Sequence, residues 1–231
     1  MSENDIADTI AAYARAAGDA KTLGCDCIEF HGAHGYLFDQ FYWDGSNLRA
    51  DKYGGADLRA RTAFAVDTIR ATRAAVGPDF AIILRFSQWK LHNYDMKLAE
   101  TPADMEAWLC PLADAGVDIF HGSQRRFWQP EYEGSDLNLA GWAKKITGKP
   151  SITVGSVGLA VDMMSGGLRG PDIAADISHM NELNRRLERG EFDLVAVGRA
   201  LLADAEWALK MRDGRYSELH DYKSEHRFVL T

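Results

Sequence analysis

The chain contains no run of about 18 apolar residues, so no membrane-spanning helix is expected. It has no cluster of Lys and Arg and no basic stretch interleaved with aromatic residues. With a net charge of −8 and a pI near 5.4, nucleic acid is not expected as its main partner. Cysteine is scarce: Cys25, Cys27 and Cys110 make an odd count without disulfide-scaffold spacing, which points to the reducing cytoplasm. The first residues, Met1 to Asp5, are acidic and lack the apolar core of an export signal. What is present suffices for a real core. Of 231 residues 46% are apolar, so disorder is not expected, and the length suits one domain or part of a large barrel.

The stretch from Asp26 to Tyr36 organises the rest. Cys27 to His31 is a short, mostly apolar, β-compatible run that follows Gly24 and leads into Gly32, Ala33 and Gly35. A buried parallel strand that delivers polar side chains to its C-terminal end reads this way. Three hydrogen-bonding rings, His31, His34 and Tyr36, then emerge within six positions, and the glycines let the backbone turn between them. Two imidazoles and a phenol at a strand end can hold a carbonyl oxygen and protonate a neighbouring carbon. A purely structural role for these rings is one alternative. A zinc site is another, but His-x-x-His lacks the i, i+4 spacing of the helical zinc motif, and Cys25 and Cys27 precede or sit within the strand.

Along the chain, helices are expected at Asp5–Lys21, Gly35–Phe41 (with Leu37 and Phe41 inward), Asp57–Ala75, from Thr101 to Gly116, Leu137–Ile146, Met180–Arg189 and from Leu201. Strands are expected at 27–31, 79–86, 117–121, 151–155 and 192–197. Loops fall at 43–55, 87–100 (with Trp89 and His92) and 124–134, a Gly-rich stretch spans 165–177, and the tail after Gly214 is polar and loosely packed. Strand, loop and helix repeat five times, and polar and glycine-rich signals cluster after the strands. That is the (β/α)-barrel pattern, with function on the C-terminal face. A doubly wound open sheet is the alternative, but the first βα turn lacks a Gly-x-Gly-x-x-Gly fingerprint.

Two exits carry phosphate-binding chemistry. Gly155-Ser156-Val157-Gly158 and Gly198-Arg199 each follow a strand, where glycines expose backbone N–H groups and Arg199 adds a positive fork. Glycine after a strand is also often only a turn. Arg85 ends an otherwise apolar strand and needs an acceptor partner. Trp89, Phe127 and Trp128 stand as pocket-wall candidates, though loop aromatics are as often simple packing.

From Glu29 to Phe41 and on through Ser46-Asn47-Leu48-Arg49 and Asp51 to Gly55, the chain resembles the substrate-binding signature of the old yellow enzyme family of flavin-dependent ene-reductases. Val154-Gly155 and the run from Ala196 to Asp204 resemble that family's phosphate-binding ends. The resemblance implies that His31 and His34 bind the substrate's activating oxygen and that Tyr36 donates the proton. It implies FMN as cofactor, NADH or NADPH as reductant and an activated alkene such as an enone as substrate. Arg85 would contact the flavin near N1 and O2, where a cation favours the anionic reduced ring. Gly155, Ser156, Gly198 and Arg199 would hold the phosphate.

The resemblance covers nearly the whole chain but only the back part of the family's domain. The expected fold is α/β, of the (β/α)8 TIM-barrel type, with about five βα units corresponding to strands four to eight, in one domain over residues 1–231. Strands at 27–31 and 193–197 would have bare edges, so a homo-oligomer or a missing front portion of the barrel is expected to cover them. The partner of the site is a small molecule. The alternative is a non-catalytic partial barrel that retains only a phosphate-binding or protein-interaction surface.

Overall fold

A computed structural model describes residues 1–91, 93–161 and 172–228. His92 and most of the Gly-rich stretch expected at 165–177 lie outside the described residues. Two compact units divide the chain: Met1–Ser123 with Ala140–Ser151, and Gln124–Leu139 with Ile152–Thr231.

In the first unit, α1 (Glu3–Thr22) opens with a capping box: Ser2 Oγ accepts from the Asp5 N–H, and Asp5 accepts from the Ser2 N–H. Its Ile6 and Ala17 are buried. Three strands follow, β1 (Cys27–Gly32), β2 (Ala81–Phe86) and β3 (Ile119–Ser123), paired in parallel in that order. Side chains alternate across a strand. The even positions Phe30, Ile82, Leu84, Phe86 and Phe120 are buried, packed by helices α2 (Leu37–Tyr42), α4 (Ala63–Val76) and α5 (Pro102–Ala115). Rings carry this core. Phe30 and Phe38 lie 5.4 Å apart, Phe41 stacks on Phe64 at 4.3 Å, and Phe86 meets Trp108 edge-on at 5.4 Å. The odd positions Glu29, His31, Arg85, His121 and Ser123 share the opposite face. The register sets His31, Arg85 and His121 in one row across the three strands.

The helix expected at Asp57–Ala75 is broken. α3 (Leu58–Arg61), capped by Asp57, stops at Thr62, whose N–H and hydroxyl both go to the Arg59 carbonyl. That local bond competes with the α ladder and tightens the turn before α4 begins. Leu37 is half-buried rather than inward, and the buried face of α2 is Phe38, Asp39, Phe41 and Tyr42.

In the second unit, β4 (Ser151–Val154) pairs in parallel with β5 (Leu194–Val195), and Thr153 also receives the Ala196 N–H at 2.9 Å. β5 is two residues long, shorter than the expected 192–197, and its ladder with β4 holds two residue pairs, Ile152 with Leu194 and Thr153 with Val195. α7 (Met180–Glu188) is held by buried Arg186, which donates to Glu191 at 2.9 Å and to Glu182 at 2.5 Å. Glu191 also accepts the Asn138 N–H, and Asn138 reaches Thr153 Oγ1 at 3.0 Å, so the 124–139 segment is fixed to β4. α6 (Leu139–Thr147) follows that segment in sequence and, from Ala140 on, belongs to the first unit. α8 (Arg199–Ala203) and α9 (Trp207–Arg212) precede a tail that is tighter than expected. Tyr222 is buried and exchanges two backbone hydrogen bonds with Ile173, at 2.7 and 2.8 Å.

Candidate active site

β1 ends at Gly32, and the turn into α2 passes through two left-handed residues, His34 at φ 61° and Gly35 at φ 85°. Glycine adopts this region freely and histidine rarely does. The double turn folds the chain back on the strand end. It brings the His31 ring within 5.3 Å of His34 and 4.6 Å of Tyr36, centroid to centroid. The three predicted ring residues thus lie together. Tyr36 precedes α2 and is 54% exposed, so its hydroxyl has access to solvent.

His34 Nε2 shares a 3.0 Å hydrogen bond with Ser123 Oγ, which also accepts from the Arg85 guanidinium at 3.3 Å. Arg85 therefore has the acceptor its position requires, while its Nε is buried without a hydrogen-bond partner. His121, in the same row, hydrogen-bonds Glu29 through Nδ1 at 2.7 Å. Burial pushes the Glu29 carboxyl up, but the bond to His121, with the charges of His121 and Arg85, pulls it further down, to a net value below the usual range. Burial, and then the Arg85 charge, push the His31 imidazole below its ordinary value and that of His34 down to about 3. Both rings are neutral near pH 7, each with one N–H to donate.

Sequence reasoning missed Glu29, His121, Ser87, Lys90 and Ser123. Strand alternation carries the signal for three of them, since Glu29, His121 and Ser123 share the face of His31. Trp89 stacks on His34 at 4.3 Å with 25° between the planes. Phe127 and Trp128 have other roles: Phe127 is fully buried in the core, and Trp128 stacks on His179 at 3.6 Å. Among the described residues no group of three or more His, Cys, Asp or Glu is placed to hold a metal ion. No helix among them is long and apolar enough to cross a membrane.

In the second unit the four predicted phosphate residues leave the same end of the β4–β5 ladder, because Thr153 pairs with Val195. Gly155 has φ 151°, and a Cβ there would lie 2.6 Å from the Gln124 carbonyl. Ser156 sits at φ 51°, its hydroxyl donating to the Arg125 carbonyl at 2.9 Å. Gly198 is the N-cap residue of α8, and a side chain on it would meet nothing within 4 Å. Arg199 places its guanidinium 5.6 Å from the Tyr222 ring.

With a parallel α/β framework and this strand-end cluster in place, comparison with known proteins defines the class. Residues 1–218 match the model of the NADH:flavin oxidoreductase / NADH oxidase family, and the chain belongs to that family, which includes old yellow enzyme. It is 35% identical to an NADH oxidase of Thermoanaerobacter brockii over 224 residues, covering 94% of this chain and 31% of that protein. It is 29% identical to an NADPH dehydrogenase of Bacillus licheniformis, covering 90% of this chain and 54% of the relative. A solved structure of a morphinone reductase variant in complex with tetrahydroNAD shares the fold. Its TM-score is 0.71 at 22% identity, over 95% of this chain and 52% of that one. The chain thus spans about a third to a half of the length of these relatives.

Proposed function

We propose that the chain carries the substrate-oxygen and phosphate sites of an FMN-dependent oxidoreductase that passes hydride from NADH or NADPH to an activated alkene such as an enone. The observation that carries this reading is the convergence of His31, His34 and Tyr36 beside Arg85 and Ser123. The residues fit the cofactor: Arg85 keeps a buried Nε without a partner, and Gly198, at the exit of β5, has open space beside it where a side chain would otherwise stand. Arg85 would hold the electron-rich edge of the flavin, and Gly155, Ser156, Gly198 and Arg199 its phosphate. When bound, FMN supplies the hydride exchange between nicotinamide and alkene.

The protein's own groups do the rest. Neutral His31 and His34 donate N–H hydrogen bonds to the substrate carbonyl oxygen, which draws electron density from the alkene without a buried positive charge at the imidazoles. Arg85 adds positive potential beside them. Tyr36 gives its phenolic proton to the α-carbon as the β-carbon receives hydride, and its exposure lets water restore that proton. The sum is two hydrogens added across the double bond and one nicotinamide oxidised. The proposed compartment is the cytoplasm, in line with three free cysteines.

The test uses the FMN-loaded chain. Tyr36→Phe is expected to slow alkene reduction by about two orders of magnitude, the usual scale of a lost general acid, while flavin reduction by NADPH changes little. His31→Ala or His34→Ala is expected to weaken a phenol ligand. If Tyr36→Phe slows both half-reactions equally, Tyr36 is not the proton donor.

A further inference from the structure

Lys90 and Asp39 are both fully buried and form an ion pair next to the His34 turn. Burial pulls the Lys90 ammonium below its ordinary range, against the opposing pull of Asp39. A buried pair adds little net stability over apolar residues of similar size, so fold stability alone does not account for it. Its surroundings do. Asp39 Oδ2 accepts the Gly35 N–H at 2.6 Å. The His34 N–H donates to Ser87 Oγ at 3.1 Å, and that hydroxyl donates to the Trp89 carbonyl at 3.1 Å. The two peptide groups that flank the His34 Cα, and so define its φ and ψ, are therefore each tied to the 87–90 segment. One tie runs through Ser87, the other through Asp39 to Lys90. The segment is stiffened by a two-way backbone bridge between Lys90 and Asn93, at 3.0 and 3.1 Å. Trp89 lies flat against the imidazole itself.

We propose that Lys90, acting through Asp39, is the positioning residue of His34: it holds the His34–Gly35 turn in its left-handed conformation and so aims the imidazole at Ser123 and the substrate oxygen. This rests on the reading of His34 as an oxygen-binding residue. Histidine rarely adopts φ near 61°, so the turn needs outside ties, and the ionised carboxylate is the stronger acceptor for the Gly35 N–H. Lys90 places a positive charge directly against the Asp39 carboxyl in a buried place. Ser87 and Trp89 act on the same turn from the other side.

Lys90→Met alone removes a buried positive charge that Asp39 pairs with and is expected to melt early, so the neutral pair Lys90→Met/Asp39→Asn carries the test. The amide introduced by Asp39→Asn keeps an oxygen for the Gly35 N–H and leaves no buried charge unpaired. The full chain, labelled with ¹⁵N-histidine and with His34 assigned by His34→Gln, is compared by NMR and titrated with 4-hydroxybenzaldehyde. The double variant is expected to melt close to the wild type, with a displaced His34 imidazole resonance and phenol affinity at least tenfold lower. An unmoved resonance and unchanged affinity in a folded double variant overturn the proposal and leave the oxygen-binding reading standing. If the wild type binds no phenol while the resonance still moves, the positioning role stands and the oxygen-binding reading falls.

Discussion

The fold holds the His34 and His31 imidazoles neutral near pH 7, and that makes it sensitive to acid. The folded chain holds both below their ordinary value, mainly through burial and then through Arg85, while the unfolded chain takes up protons near pH 6.5. The unfolded state binds more protons between that pH and about 3, so stability rises with pH across this window and is complete above it. Glu29 also loses its stabilising effect in acid, but only below its ordinary value of 4.5. Between pH 7 and pH 5 the histidines therefore dominate. One histidine can contribute at most about 2 kcal/mol over that step, and allowing for the solvent-exposed part of the ring His34 accounts for roughly 1 kcal/mol. Denaturant unfolding at both pH values is expected to show the wild type losing more than His34→Gln by about that amount. Equal losses would mean that the ring is not held neutral by the fold.

At the scale of elements, much was legible because local signals agreed with their surroundings. Thr101 and Asp104 form the capping box that starts α5, and Pro102 takes the first helical position. The strand-end cluster was legible too, because three ring residues and two glycines lie within six positions of one strand. What escaped depended on contacts distant in sequence. Lys90 reads as a solvated loop charge until Asp39, 51 positions away, is seen beside it. Phe127 reads as a loop aromatic until Asn138 is seen donating to its carbonyl. The break at Thr62 has only a single hydroxyl as its signal. Glycine at position 155 is a sharper case, since φ 151° and the Gln124 carbonyl both forbid a side chain. Gly155→Ala is expected to cost about 2–3 kcal/mol in stability, the scale of backbone strain plus displaced packing, and to weaken FMN more than phenol ligands. Thermal melts and paired titrations check it. Equal loss of both ligands would assign Gly155 to general stability instead of the phosphate.

At the scale of the whole chain, the informative feature is the outer edge of β1. Among the described residues β1 pairs only with β2, so its other edge presents unpaired backbone groups. A groove of about 420 Å³ runs along that edge, walled by Tyr13, Ala16 and Ala17 of α1 and by Ile28, Phe30 and Leu37. Glu29, His31 and Tyr36 line the same groove, so whatever covers the edge also borders the candidate site. An apolar groove beside a bare strand is what a further strand and its helix would fill, or a second copy of the chain. The 231-residue chain by itself is therefore expected to associate, with a sedimentation coefficient that rises with concentration, and to hold FMN more weakly than its longer relatives. Replacing Ile28 with Lys puts a charge at the groove wall, the device natural sheets use to protect an edge. It is expected to shift the population toward monomer without changing the melting point by more than a few degrees. Sedimentation of wild type and Ile28→Lys, each with an FMN titration, decides the matter: a wild type that stays monomeric at all concentrations and retains stoichiometric FMN would show that this edge needs no cover.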